Sequence, residues 1–461
     1  MSSSTSSTLT SVLTALGGSS GIDVTDAVDS ILYADRAPER IWTSEQATLS
    51  DQTTALNLLD ADALTLSTDL TALDSSTGVL GTVSATSSDS SVVTATAATG
   101  TVAGTHSVIV NSLATTDSWY SSEVASSSTT LTADDSISIT ANGTTKTVSA
   151  AGQTLTQLEA TINSGSYGVT ASVVTDSSGA RLTLTSNTSG AAGAISLSST
   201  DLTFTNSVVG ANGNITVDGV PIKPSSNTVT GAIEGVTLTL TGTSPTTTSG
   251  GVTSGIASTL TLSPNTDAIT SAVQAFVSAY NTMITDVNTQ FSYNTATDTA
   301  GPLQSDSLIQ GLQSALLGST SYSSGDSTYG TLTQLGITVG STGTLTLDST
   351  TLTSAISADS SAVSTFFQGT DSNGFAASLM STLYTYTDST GGAFTVDLAS
   401  IKSENTDLQN QINTLETYLA SQQTILTTKY NEADAEIQDL PEELKQTNAL
   451  LNPNEYSSSN S

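Results

Sequence analysis

Cysteine is absent from the 461 residues, and histidine occurs once, as His106. The missing thiols exclude disulfides, thiol catalysis and thiolate-held metals or clusters. Without a cysteine or second imidazole to complete a site, a surface or hydrogen-bonded role for His106 outweighs a catalytic one by about nine to one. Cations are scarce too: 8 Lys and Arg face 41 Asp and Glu, a formal net charge of −33. That balance argues strongly against nucleic-acid binding, which needs cationic side chains to displace counterions, and also against docking on anionic lipid. A plainer role for the charge is solubility. Only 11% of residues are charged, against about a quarter in ordinary domains, so Ser, Thr and Asn must supply most of the wetted surface. The pattern departs from densely acidic halophile proteins. It fits a chain facing a mildly acidic external medium, where its carboxylates are partly neutralised.

Long apolar runs are missing: nothing approaches the ~20 residues of a membrane span. Residues 1–20 carry no Lys or Arg. Thr8 to Gly18 is mildly apolar but lacks a cationic flank and a small-residue cleavage site, so it reads as a flexible terminus and not a cleaved signal peptide. Export, on this reading, uses an uncleaved N-terminus, and the lack of cysteine suits passage through a narrow channel. No GxSxG, HExxH, Walker or GxGxxG pattern occurs. Asp134-Asp135 reads as a solvated turn, since no calcium-loop spacing surrounds it. Glu442-Glu443 follows Pro441 as acids in a first helical turn. No catalytic constellation, metal site or cofactor is expected.

What is present is periodicity. Leu56, Leu59, Ala63, Leu66, Leu70 and Leu73 step 3-4-3-4-3. Ile412, Leu415 and Leu419 repeat the step, and Leu426, Ala433, Ile437, Leu440 and Leu444 continue it imperfectly. Each run puts apolar side chains on one helical seam that must find a partner helix. Two distant segments with that need can pair with each other, the chain between them leaving and rejoining the bundle. The seam leucines read as intramolecular core over intersubunit contact by about two to one.

The interior switches to a period of two near Val83. Asn142-Gly143 and Asp218-Gly219 mark hairpins, because both turn residues tolerate positive φ. Strands are expected at Val108–Val110, Ser136–Thr140, Val169–Val174, Arg181–Thr185 and Val236–Leu240. Short helices are expected at Gly21–Ala34, capped by Thr25 or Asp26, and at Thr154–Asn163. Residues 242–255 read as a loop or ragged edge. Helices return at Asp267–Gln290, Ser305–Leu317, Ser361–Gln368 and Phe375–Tyr386. A last helix spans about Asp397–Leu440 before Pro441 interrupts it. Asp348 is placed to cap a helix containing Leu352 and Ile356. Strands grouped together with helices outside them give a multidomain α+β class: terminal helices form a coiled-coil or helical-bundle leg, with inserted antiparallel β-rich head domains. The division reads as a flexible segment and short helix over 1–42; a leg helix, 43–80, pairing with 266–400; a β-rich head from 81–115 and 206–265; a second inserted head, 116–205; and a C-terminal coiled-coil helix with a flexible tail, 401–461.

The ordered set of short motifs resembles the flagellar hook-associated protein 2 family, the caps of bacterial flagellar filaments. Gly21-Ile22-Asp23-Val24 and Ile31 through Pro38 are similar to its opening. Ser87 to Ala95 and Gly104 to Ala114 resemble its first strands. Thr154 to Asn163, Gly168 to Val174, Arg181 to Ser186, Ser226 to Val229 and Ile233 to Leu238 follow its order. So do Phe276-Val277 with Ala279-Tyr280-Asn281, Gly301-Pro302-Leu303, Leu335-Gly336-Ile337 and Gly343 to Asp348. Val208 to Asn214 lacks the Asp-Ala pair common there, and the helix after Pro38 is poorer in Lys, Arg and Gln. The resemblance implies a homo-oligomeric ring of about four to six subunits, with helical legs in the filament end and β domains in a plate above it. It further implies contact with flagellin, the filament tip and the hook-associated junction proteins, and an export chaperone on the C-terminal helix near Asn405 to Leu450. It places the protein outside the cell at the filament tip, with no nucleic acid and no membrane insertion. Rival readings are another axial flagellar protein, such as a junction protein, or a surface adhesin; an enzyme ranks third.

Overall fold

The computed structural model describes residues 24–133, 135–249, 251–295, 299–325, 328–370 and 373–451. Helix α1 spans Val24–Asp35 and α2 spans Ala37–Asp74. Thr25 and Asp26, expected as caps, lie inside the first turn of α1. A β-rich stretch follows: β1 (Val83–Ser87), β2 (Val93–Ala97), β3 (Gly104–Ser112), β4 (Thr116–Ser121), β5 (Ser136–Ala141) and β6 (Thr144–Ser149). Helix α3 (Leu155–Ser164) opens on a capping box: the Thr154 hydroxyl accepts from the Gln157 N–H at 3.3 Å, and the Gln157 side chain accepts from the Thr154 N–H at 2.9 Å. Then come β7 (Val169–Thr175), β8 (Ala180–Ser189), β9 (Ile195–Ser199), β10 (Phe204–Val208), β11 (Asn214–Val217), β12 (Val220–Ile222), β13 (Thr228–Ile233), β14 (Val236–Leu240), β15 (Thr246–Ser249), β16 (Val252–Gly255) and β17 (Ser258–Pro264). The remainder is α4 (Thr266–Gln290), the short pair β18 (Tyr293–Asn294) and β19 (Thr299–Ala300), α5 (Ser307–Ser319), β20 (Ile337–Val339), β21 (Leu345–Leu347), α6 (Ser349–Gln368), α7 (Phe375–Thr387) and α8 (Ala393–Leu451).

Several local expectations are corrected. Residues 246–255 are not a ragged loop: β15 and β16 pair antiparallel from Thr246↔Gly255 to Ser249↔Val252. Ser361–Gln368 is the second half of α6, which begins at Ser349 and bends at Asp359 (φ −156°). Pro441 does not end the last helix; α8 continues to Leu451. An interior proline costs about 3 kcal/mol through one lost hydrogen bond and a ring clash, and α8 carries it with helix on both sides. Both Asn-Gly and Asp-Gly signals do form hairpin turns, with Asn142 at φ 51° and Gly143 at 73°, and Asp218 at 49° and Gly219 at 81°.

The chain divides into two compact units. One comprises Leu66–Asn281 and Leu316–Met380. Within it, the sheet β1-β17-β3-β11-β12 and the sheet β13-β14-β2 enclose one core, including Val93, Val108, Val110, Ile215, Leu238 and Leu260. The sheets β10-β4-β8-β7 and β6-β5-β9 share a second core with α3, through Ile137, Ile139, Leu158, Ile162, Leu182 and Leu184. Strands alternate as a one-sided sheet requires: in β14, Val236, Leu238 and Leu240 are buried while Thr237 and Thr239 face outward. Thr239 stands opposite Thr94 and Thr228, and Thr237 opposite Thr96 and Thr230. Rows of hydroxyls thus wet this sheet where charges would ordinarily do so. Elsewhere in the unit, four of the seven phenylalanines, Phe276, Phe366, Phe367 and Phe375, pack with ring centroids 5.1–6.1 Å apart, so the scarce aromatic mass concentrates in one core.

The other unit comprises Met1–Thr65, Thr282–Ala315 and Ser381–Ser461. In it α1 lies against α8: Val28, Leu32 and Leu419 are buried together, with Val24, Leu415, Leu426 and Tyr430 packed around them. Gln46 of α2 donates to the Asn405 side chain of α8 at 2.8 Å, and Gln313 of α5 donates to Asn288 of α4 at 2.7 Å.

Candidate functional site

The helical seams are where sequence periodicity places assembly. Leu56, Leu59, Leu66, Leu70 and Leu73 are all 0% exposed. Buried so fully within one chain, they are core side chains with no area left to offer another subunit. Leu56 and Leu59 fall in the helical unit, and Leu66, Leu70 and Leu73 in the β-containing one. On α8, Leu419 is buried, Leu415 and Leu426 are half-buried against α1, and Ile412 and Ile437 are also half-buried. Beyond them Leu440 and Leu444 are exposed, as are Leu450 and Leu451.

The α1–α8 pairing carries one polar anchor. The Arg36 guanidinium donates to both Glu416 oxygens, at 2.5 and 3.0 Å, and to Glu39 at 2.7 Å. This bidentate bond fixes geometry as well as charge. It raises the Arg36 pKa and holds Glu416 below the usual carboxylate range, the Arg36–Glu416 hydrogen bond being the main cause of each. Arg40 stacks over the Tyr33 ring at 4.5 Å.

Large apolar side chains off the seam remain open. Trp42, Leu415 and Tyr418 line a shallow hollow of about 520 Å³ with Asn410, Gln411 and Thr414. Tyr418 is 53% exposed, and Ile425, two turns further along α8, is 42% exposed. Ile41 and Tyr33 are exposed as well. Heptad counting includes Leu415 but passes over Trp42, Tyr418, Ile425, Ile41 and Tyr33, which sit outside the repeat; the available signal was a tryptophan and tyrosines on otherwise polar helical faces.

His106 lies within β3, not just before a strand. Its Nδ1 is 2.7 Å from Asp218 Oδ2, and Asp218 Oδ1 accepts from the Ser107 N–H at 2.8 Å. The His106 bond holds the Asp218 carboxyl below its usual range. Among the described residues no hydroxyl is bonded to the other imidazole nitrogen, so the pair has the orienting half of a triad without a nucleophile. Asp134 falls outside the described residues. Asp135 is not solvated: it is 1% exposed, and its Oδ1 accepts from Ser199 at 2.8 Å. Glu442 and Glu443 lie inside α8, not in a first turn. Among the described residues no group of three or more acidic or imidazole side chains is placed to hold a metal ion, and no helix is long and apolar enough to cross a membrane.

Comparison with known proteins agrees with this architecture. Residues 20–117 match the model of the flagellar hook-associated protein 2 N-terminus, and residues 210–442 match that of its C-terminus. The B-type flagellar hook-associated protein 2 of Pseudomonas aeruginosa is 28% identical over 460 residues, covering 90% of this chain and 94% of its own. The flagellar hook-associated protein 2 of Escherichia coli is 28% identical over 412 residues, covering 82% and 85%. The crystal structure of the flagellar cap protein D1-D2-D3 domains from Escherichia coli superposes with a TM-score of 0.59 at 28% identity, covering 76% of this chain and 99% of that one. Matched at both ends and across its fold, the chain belongs to the flagellar hook-associated protein 2 family.

Proposed function

We propose that this chain caps the distal end of a bacterial flagellar filament, as a ring of about four to six copies with cyclic symmetry. Flagellin leaves the central channel beneath the cap, which confines the exported subunit and offers it one vacant site at a time; such confinement raises local concentration. The observation that carries this reading is the family match at both ends of one chain, joined to a fold in which α1 and α8 pair while β sheets occupy the sequence between them. In this reading residues 43–80 and 266–400 form the leg, residues 81–265 form the heads, and 401–461 form the terminal coiled coil. The hollow at Trp42, Leu415 and Tyr418 supplies contact with flagellin or a neighbouring subunit. Exposed Leu440, Leu444, Leu450 and Leu451 supply apolar area for an export chaperone before assembly. The protein acts outside the cell, at the filament tip.

Deletion in the source bacterium tests this reading. A cap mutant loses filaments and leaks flagellin into the medium. Normal filaments with lost surface attachment would overturn it in favour of an adhesin. Light scattering on the purified protein, with and without residues 1–42 and 400–461, reads the ring directly: a defined oligomer weakened by truncation supports it.

A further inference from the structure

We propose that the β-rich unit carries a calcium site, built from Asp135, Asp201 and Thr132 at one end of the sheet β6-β5-β9. Strands β5 and β9 pair antiparallel, with Ile137 opposite Ser199 at this end. Two residues further out, the same register sets Asp135 opposite Asp201. Hydrogen bonds tie the group together. Asp135 Oδ1 accepts from the Ser199 hydroxyl at 2.8 Å and from the Asp201 N–H at 3.4 Å. The Thr132 hydroxyl donates to Asp201 Oδ2. The Thr132 carbonyl accepts from the Asp135 N–H at 3.4 Å, which closes the ring. Two carboxylates, two hydroxyls and a carbonyl thus meet where the chain enters β5 and leaves β9.

One oxygen of this group is left over. Asp135 is 1% exposed, and its Oδ2 is shut off from solvent with no hydrogen-bond partner. Oδ2 shares its carbon with Oδ1, which faces Ser199 and Asp201, so it is held inside the cluster. A buried carboxylate oxygen with neither donor nor water is costly unless a positive charge meets it. The basic residues of 116–205 are Lys146 and Arg181, and both are engaged elsewhere: Lys146 donates to the Ser166 carbonyl and Arg181 to Glu123, each at 2.6 Å. The donors around Oδ2 are all oxygen, the set that a hard cation takes, with no thiol or imidazole to favour a transition metal. Calcium takes about six to eight oxygens in flexible geometry, so the two carboxylates, the Thr132 oxygens and water can complete its shell, whereas magnesium demands a near-ideal octahedron. With two acids only, the expected dissociation constant is about 10⁻⁴–10⁻³ M, that of extracellular calcium modules. A bound ion braces the turn before β5 against the chain after β9.

The test uses the full purified chain, freed of metal by a chelator, so it stands apart from the cap reading. A Trp42→Phe background leaves Trp119, packed against this core, to report melting. At about 10 mM CaCl2 the melting temperature rises by about 5–10 °C over a NaCl control of equal ionic strength. MgCl2 at the same concentration raises it by less. Asp201→Asn removes the calcium shift; Asp201 is exposed, so this variant keeps its fold and carries the test even where Asp135→Asn does not fold. Glu234→Gln changes an exposed acid outside this core and keeps the wild-type shift, which separates a built site from general neutralisation of a chain of net charge −33. No calcium shift in the wild type, an equal shift with magnesium, or a shift unchanged in D201N overturns the proposal.

Discussion

Asn227 grips Ala114 by both ends of its amide: Oδ1 accepts from the Ala114 N–H at 2.8 Å, and Nδ2 donates to the Ala114 carbonyl at 2.9 Å. The side chain substitutes for a β-strand partner between β3 and β4, where the chain passes from one head sheet to another. The same device recurs as Asn163 on Ala171 and Asn281 on Leu345. An amide is suited to this because it carries a donor and an acceptor at fixed separation.

Replacing Asn227 by alanine leaves the Ala114 N–H and carbonyl unpaired in a half-buried site. The expected cost is about 1–3 kcal/mol, read as a lower urea midpoint. Asn227→Asp keeps the acceptor but sets a carboxylate oxygen against the Ala114 carbonyl, so it does not rescue. A midpoint unchanged in N227A would show that water replaces the clamp.

Core and surface positions on the helices separate stability from assembly. Leu59→Ala removes a fully buried side chain, with an expected loss of about 2–5 kcal/mol. Tyr418→Ser acts on an exposed ring and stays within about 0.5 kcal/mol of wild type, yet weakens the oligomer seen by light scattering. An oligomer unaffected by Y418S would remove the hollow at Trp42 from the interface.

Gly193 admits no larger residue. A Cβ built there meets the Thr188 carbonyl oxygen at 1.8 Å, and backbone, unlike a flexible side chain, has nowhere to go. Gly193→Ala is expected to cost about 1–3 kcal/mol, visible as a lower melting temperature. By contrast Gly104 has open space at the same position, and G104A leaves melting within about 0.5 kcal/mol of wild type.

Local rules carried much of this fold. Asn142-Gly143 and Asp218-Gly219 were legible because positive φ is a property of the dipeptide itself. Asp348 was legible as a cap, and its carboxylate accepts from the Thr350 N–H at 2.9 Å. The ribbon at 246–255 was not legible, since its β15 strand is exposed throughout and shows no apolar alternation. The burial of Asp135 depends on Ser199, 64 residues away; no window of sequence contains such a contact. The seam leucines were visible by period, but whether a seam faces its own chain or another is decided by burial alone.

Asp117 gives the β head a stability that depends on its staying ionised. It is 3% exposed, and burial pushes its carboxyl up. Four donors outweigh that and bring it below the usual range: the backbone N–H of Ile195 at 2.7 Å, the Asn206 amide at 2.6 Å, the Trp119 indole at 3.2 Å and the Gly210 N–H. A depressed acid stabilises above its unfolded pKa, and that contribution is lost as pH falls through the folded value. The β head is therefore expected to weaken as pH drops below about 4. The two tryptophans report separately, Trp119 in the head and Trp42 in the helical unit. In a Trp42→Phe background, Trp119 fluorescence follows head unfolding in urea at stepped pH. Its midpoint falls on acidification, and adding Asp117→Asn lowers the neutral unfolding free energy by about 3 kcal/mol while flattening the acid limb. An acid limb of equal slope in both proteins would assign the acid sensitivity of the head to other carboxylates.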